Sequence, residues 1–473
     1  MRILLISPMI AQVKTHPPLG LCYIQSCLDK AGYIDSKIVD SYNSYDEIKK
    51  IIKDYDPDIV GISCFTMYRG SSFKLAKLAK KIKPDVKIIL GGPHATFMWE
   101  QIMKNVDFVD FIVLGEGEIT TVKLVKALDK GLPLKNVKGI AFRQNKKIIK
   151  TEPRPLMKNI NQIPFPSYRD INFADYAATK PLEQRSKSKC HGCPGYCAME
   201  KKAGIIASRG CIFDCNFCAN VKFWSRRWRP RSAKNVVDEI EWLCKNYNVE
   251  FFTFYDDIFT NDPKRVMKIC KEIIKRNLKI RWYAETRVDR VSKEIFDWMK
   301  RAGCIMIQFG VESGSEKILK NVNKRIIKKH IINAFKLAKE AGLKTEMFLM
   351  VGNPGETKGT IEETKGLIDM LKPDVLVAYL TRVLPSTRLY ELAKQKKLID
   401  DDFWLTEKIA PEYTVEHSLQ ELVLMRVGIV KQFYETKGRF AYLNYLFNLF
   451  RSSPKIVVDH LKVLSLGEKT LAE

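Results

Sequence analysis

"CHGCPGYCAMEKKAGIIASRGCIFDCNFC", residues 190–218, carries two cysteine triplets back to back: C-x2-C-x3-C at Cys190, Cys193 and Cys197, then C-x3-C-x2-C at Cys211, Cys215 and Cys218. Between them "AGIIASRG" reads as a strand with a glycine exit. The second triplet therefore follows the carboxyl end of a strand, where α/β barrels build their sites. Three thiolates on one short loop can hold three irons of a 4Fe–4S cluster and leave the fourth iron open for chemistry. The alternative is a zinc loop completed by a distant fourth ligand.

Downstream, residues 203–400 alternate strands and helices. "AGIIASRG", "FFTFYDD", "IRWYAET", "CIMIQFGVES", "KTEMFLMVG" and "VLVAYLT" read as strands, with helices between them at 233–246, 262–276 and 328–341 among others. Six strand–helix units fit a complete or partial parallel barrel, a (β/α)6 TIM-like fold. Residues 401–473 read as a helical region. Its aromatic stretch, with Phe440, Tyr442, Tyr445, Phe447 and Phe450 beside Lys437, Arg439 and Arg451, is expected either to pack on the barrel or to contact a membrane surface or a lipid-like substrate.

Upstream, residues 1–145 alternate in the same way. "RILLIS", "DSKIVD", "DIVGISCF", "VKIILGGPHA" and "FIVLGEGE" are expected strands of a doubly wound, Rossmann-like parallel sheet. Ligands of such sheets lie outside the carboxyl ends of the strands, and the turns at Gly91–Gly92 and Gly115–Gly117 fall there. Residues 146–200 are Pro-rich and aperiodic and read as a linker that ends in the first triplet.

The chain has 473 residues, 46% hydrophobic and 28% charged, so two or three folded domains are expected rather than disorder. No apolar run reaches the roughly 18–20 residues that span a bilayer. "MRILLISPM" enters a strand directly and is no signal peptide, so a cytoplasmic protein is expected. Six of the twelve cysteines lie in the triplets; Cys22, Cys27, Cys64, Cys244, Cys270 and Cys304 sit on apolar segments and read as small buried hydrophobes. The net charge of +26 attracts anions, but the lysines recur on helix faces along the whole chain, as on a solvated surface.

"SRGCIFDCNFC" resembles the signature of the radical S-adenosylmethionine (SAM) enzymes, and "FYDDIF", "GVESGS" and "VGNPGET" recur at the expected strand ends. "HPPLGLCYIQSCLDKAGY", "PDIVGIS", "IILGGPHAT" and "LGEGE" are similar to the cobalamin-binding domain that precedes the barrel in one large subfamily. The resemblance spans about residues 1–400. It implies a cobalamin domain at 1–145, the linker at 146–200, a radical SAM barrel at 201–400 and a helical end at 401–473.

The resemblance also implies the cofactors: a 4Fe–4S cluster, SAM and cobalamin. Cys211, Cys215 and Cys218 would ligate the cluster, and SAM the fourth iron. Phe217 would pack near the adenine, Glu312 would receive the ribose hydroxyls, and Gly352, Pro354 and Gly355 would line the adenine side. Asp256 or Asp257 would face the methionine amine. Ser63, Gly91, Gly92, His94, Gly115, Glu116 and Gly117 would surround cobalamin. An external electron donor such as ferredoxin or flavodoxin is implied, and methyl transfer to an unactivated carbon of a small apolar or lipid-like substrate is the expected outcome. Ring closure or rearrangement without methyl transfer is the alternative.

One departure stands out. Many cobalamin domains carry D-x-H-x-x-G, whose His binds cobalt. Here His16 in "SPMIAQVKTHPPLG" lies four residues before Gly20 with no Asp two before it, so no histidine ligand is expected. An RNA substrate is a competing reading, from Arg226, Arg227, Arg229 and Arg231 with Trp224 and Trp228, but the helical C-terminus disfavours it. A metal-stabilised binding module is a third. The first triplet is too polar in its flanks for core packing. It is expected to hold a second Fe–S cluster, with zinc or free redox thiols as alternatives.

Overall fold

The computed structural model describes residues 1–8, 17–40, 45–145, 147–173, 176, 201–438 and 440–452. Cys190, Cys193 and Cys197 lie outside the described residues, as do His16 and the end of the aromatic stretch. The chain forms two compact units. The first comprises Met1–Tyr176 with Leu384–Ser386 and Ile399–Ala410, and the second takes the remainder.

The first unit is built on β1 (Ile3–Ser7), β2 (Ser36–Asp40), β3 (Ile59–Ser63), β4 (Lys87–Gly91), β5 (Phe111–Val113), β6 (Ile140–Gln144) and β7 (Lys147–Lys150), in spatial order 2-1-3-4-5-6-7. The first five are parallel, and β6 and β7 add antiparallel at the edge. β1 is buried at every residue, as a strand covered by helices on both faces must be. The order reverses between β1 and β3, the point at which doubly wound sheets bind ligands. The sheet runs past residue 145, because "KIIK" turns back on "IAFRQ" as a hairpin. The Pro-rich stretch is docked too: Asp170 accepts from Gln25 Nε2 at 2.6 Å and from the Ile38 amide at 2.8 Å.

Residues 399–410 also belong to this unit, where the sequence suggested only C-terminal helix. Arg69 is buried, and its guanidinium donates to the carbonyls of Trp404 (2.9 Å), Thr66 (2.9 Å) and Lys408 (2.6 Å). The Arg69 guanidinium carbon also lies 5.0 Å from the Trp404 ring.

The second unit is a six-stranded parallel sheet of β8 (Lys202–Ile205), β11 (Phe251–Phe254), β12 (Arg281–Thr286), β13 (Cys304–Glu312), β14 (Lys344–Val351) and β15 (Val375–Leu380), adjacent in that order. β9 (Ser208–Arg209) and β10 (Arg229–Pro230) form a small antiparallel pair. The helices Ala233–Tyr247, Pro263–Lys275 and Lys293–Arg301 are N-capped by Ser232, Asp262 and Ser292, which fixes where each begins. Alternate strand residues turn outward onto them; Trp282 packs with Phe254 and Phe259 at ring distances of 5.1 and 5.5 Å. The other residues of each strand face inward. This is the partial barrel expected from the six strand patterns.

Two expectations for surface residues divide. Arg229 is buried with its guanidinium 5.3 Å from the Trp224 ring, and Arg231 is buried in an ion pair with Glu239. Neither can grip a phosphate, because burial and internal partners hold them; only Arg226 and Arg227 of that set are exposed. On the helix Ala441–Ser452, Tyr445 stacks on Tyr434 at 4.4 Å while Phe447 is exposed, as is Phe440 just before the helix. No helix among the described residues is long and apolar enough to cross a membrane. Of the scattered cysteines, Cys22, Cys64, Cys270 and Cys304 are buried, and Cys27 and Cys244 are half-buried.

Candidate active site

The loop after β9 carries Cys211, Cys215 and Cys218. Gly210 opens it with φ +90°, and a side chain there would collide with the Arg227 carbonyl oxygen, so only glycine fits. One carboxylate then anchors the loop. Asp214 is buried and receives Asn323 Nδ2 at 3.0 Å, Arg325 at 3.0 Å, Arg388 at 3.5 Å and Arg226 at 3.7 Å. Asn216 adds a backbone tether, donating its amide to the Val322 carbonyl and accepting from the Leu389 amide. Sequence reasoning missed Asp214; its x in C-x3-C gave no signal.

The three cysteines are free, half-buried, and line one cavity of about 460 Å³ at the carboxyl ends of the strands. Burial raises all three thiols, Cys218 to about 12, while Lys324 and Arg287 pull Cys215 the other way. Three thiols on one loop suit a polynuclear iron–sulfur cluster, in which each thiolate binds a different iron.

Phe217, Asp256 and Glu312 line the same cavity. Asp256, however, is already committed. Its oxygens accept from the Ala207 amide at 2.8 Å and from Ser208 Oγ at 2.5 Å, with Arg265 4.0 Å away. Asp257 is the freer of the two acids, holding Asn220 Nδ2 at 2.5 Å, and burial together with Asp256 lifts it to about 6. Glu312 ends β13 where the register with β14 shifts, has φ +67°, and accepts from Lys324 Nζ at 2.6 Å. Lys324 sits in a turn with no periodicity, and nothing in the sequence singled it out.

Gly352, Pro354 and Gly355 do not line this cavity. Their turn closes on itself: the Gly352 and Asn353 amides donate to Glu356 Oε2 at 2.6 and 3.1 Å, and the Gly355 amide donates to Glu416. These amides are spent within the protein.

The sequence profile of the radical SAM superfamily matches residues 205–368, and that of the B12 binding domain matches residues 9–125. An uncharacterized methyltransferase of Pyrococcus horikoshii is 35% identical over 413 residues, 86% of this chain and 85% of that protein. The chain belongs to the B12-binding radical SAM enzymes. The anaerobic magnesium-protoporphyrin IX monomethyl ester cyclase of Cereibacter sphaeroides is 32% identical over 439 residues, 90% of this radical SAM chain and 68% of the cyclase. The fold is shared with the radical SAM methyltransferase TsrM of Kitasatospora setae, solved with cobalamin and a 4Fe–4S cluster, at a TM-score of 0.68 and 18% identity over 84% of this chain and 75% of that one. The cofactors of this radical SAM family are a 4Fe–4S cluster, SAM and cobalamin.

The first unit fits cobalamin at the Gly-rich exits of β4 and β5. Gly92 has φ +101°, and a Cβ there would sit 3.0 Å from the Cys64 carbonyl oxygen; Gly115 has φ +71°. Gly91, Gly117 and Ser63 stand half-buried with them, and Phe65 and Met67 expose apolar surface just beyond β3, as a flat macrocycle would need. Thr96 ties the two exits, donating to the Gly92 carbonyl and accepting from the Gly115 amide. Two expected contacts are occupied otherwise. Glu116 accepts from the Met157 amide at 2.9 Å. His94 is buried, with Nδ1 3.2 Å from Thr66 Oγ1 and its ring edge-on to Trp404; burial, reinforced by Arg69, drops it to about 3, so it is neutral.

Proposed function

We propose that this enzyme methylates a carbon of a small molecule bound inside the barrel, using SAM, a 4Fe–4S cluster and cobalamin. The observation that carries the reading is the meeting of three free thiols with Asp257, Glu312 and Lys324 in one cavity of a chain that also has a B12-binding unit. When bound, these groups supply one-electron cleavage of SAM and a transferable methyl group.

The protein's part is to hold and to exclude. Cys211, Cys215 and Cys218 hold the cluster, and Asp214 keeps their loop in place. Asp257 offers a carboxylate to the SAM amine, in preference to Asp256, whose oxygens are engaged. Glu312, steadied by Lys324, offers its second oxygen to the ribose hydroxyls. Phe217 covers the adenine side. In the first unit the backbone of Gly91–Gly92 and Gly115–Gly117 borders cobalamin. A one-electron carrier such as a ferredoxin or flavodoxin supplies the reducing equivalent. The lining favours a polar substrate over the lipid-like one expected from the aromatic C-terminal stretch, because Tyr283, Glu285 and Gln308 all face the cavity.

The test is anaerobic reconstitution with methyl-labelled SAM and a metabolite extract. A labelled product that carries one methyl group more than its precursor, lost in Cys211→Ala, supports the reading. Retained SAM cleavage in Cys211→Ala overturns it. The cyclase relative favours a second reading, ring closure without methyl transfer. A product that gains no label while SAM is consumed selects it.

A further inference from the structure

Among the described residues, Glu285 is the carboxylate of the cavity wall without a hydrogen bond or ion pair; Lys324 attracts it without touching it, because Glu312 holds that ammonium. Lys324 is held by Glu312 at 2.6 Å, and Arg287 by Asp289 at 2.9 Å. Asp256 and Asp257 have the partners described above. Among the described residues, nothing hydrogen-bonds to Glu285. Its side chain opens into the cavity between protein walls, and burial, opposed in part by Lys324 and reinforced by neighbouring acids, lifts it to about 7.

Its surroundings are ordered by strand register. Glu285 on β12 is paired with Gln308 on β13, and Gln308 with Glu346 on β14. These three inward residues form one layer across the sheet, with neighbouring strands about 4.8 Å apart. Gln308 donates Nε2 to Glu346 at 2.6 Å, so its amide hydrogens are drawn away from Glu285. Tyrosines flank the layer. Tyr283 lies two residues before Glu285 and lines the cavity with Tyr255. Tyr379 stands on the neighbouring strand β15, and burial, with Glu346 and Glu285 acting in the same sense, raises its phenol. An enclosed carboxylate among aromatic rings is the chemistry that recognises an organic cation, through a charge-assisted hydrogen bond and the ring faces.

We propose that the substrate carries an ammonium group and that Glu285 binds it, against Tyr255 and Tyr283. The inference rests on the radical SAM reading above. Glu285 is a specificity residue: it orients the substrate so that a carbon away from the nitrogen faces the cysteine end of the cavity. A lipid without a cationic group would leave Glu285 unpaired and would be rejected, since an enclosed charge without a partner is costly.

The test uses n-butylammonium as probe, with n-butanol and butyrate as controls, titrated calorimetrically into holoenzyme loaded with iron, cobalamin and SAM. Butylammonium is expected to bind wild type, and to bind Glu285→Gln about tenfold or more weakly, while butanol and butyrate bind neither. Iron content and SAM affinity are measured on the same samples. Butanol binding as well as butylammonium, or equal butylammonium affinity in Glu285→Gln, overturns the proposal while leaving the radical SAM reading intact. SAM affinity falling together with butylammonium affinity in the variant also overturns it, because Glu285 would then serve SAM. Wild-type protein that takes up neither iron nor SAM defeats the radical SAM reading instead.

Discussion

Lys324 Nζ lies 2.6 Å from Glu312 Oε1, and both side chains are buried. Burial works to discharge Lys324, but Glu312 and Cys215 overcome it and hold the ammonium charged. Removing Glu312 leaves that charge without its partner. Glu312→Ala is expected to cost about 3–5 kcal/mol of stability. The double variant Glu312→Leu/Lys324→Met should recover most of it, and chemical denaturation of all three proteins checks the pair. Both variants should lose SAM affinity, which separates the ribose contact from stability.

Asp214 gathers three guanidiniums under the cysteine loop. In Asp214→Asn they lose their anion and repel one another. The loop should loosen, and an iron chelator should strip the reconstituted protein several times faster than wild type. An unchanged stripping rate would mean that Asn216 alone suffices to hold the loop.

Glu346 gives a pH signature. Burial, opposed only in part by Gln308, raises it from 4.5 to about 7. The folded protein therefore binds a proton more tightly than the unfolded chain. This contribution is fully present below about pH 4.5 and is lost as pH rises through 7. The difference in melting temperature between Glu346→Gln and wild type should grow in the variant's favour from pH 5 to pH 8. A constant difference over that range would show that Glu346 is ionised throughout.

Arg69 makes four hydrogen bonds to carbonyls of its own unit, three of them to residues 403, 404 and 408. Arg69→Met keeps the bulk and removes the donors, so buried carbonyls lose their partners at about 1–3 kcal/mol each. Limited proteolysis should then cut within residues 399–410 well before wild type does.

The sheets were legible because their strands are compact apolar runs bounded by glycine exits, as in "VKIILGGPHA" and "KTEMFLMVG". The thiols were legible because three cysteines on one loop have few other uses. What escaped was set by distant contacts. Lys324 meets Glu312 only after a helix and a turn intervene, and no local pattern encodes that. Asp256 and Asp257 are neighbours of identical chemistry; only the Ala207 amide and Ser208 decide which one is spent. Glu285 stands in a strand read correctly as "IRWYAET", but its want of a partner is visible only when the wall opposite is in place. β7 falls within the stretch read as linker because "KIIK" is too short to show a period.

The segment that Arg69 grips is made late. A ribosome finishes residues 1–176 and must then translate the entire barrel before Trp404 emerges, a delay of tens of seconds. Throughout that interval the nascent first unit carries an arginine that keeps Thr66 as an acceptor but lacks those at 403, 404 and 408. No single cut of the gene therefore yields two self-sufficient pieces.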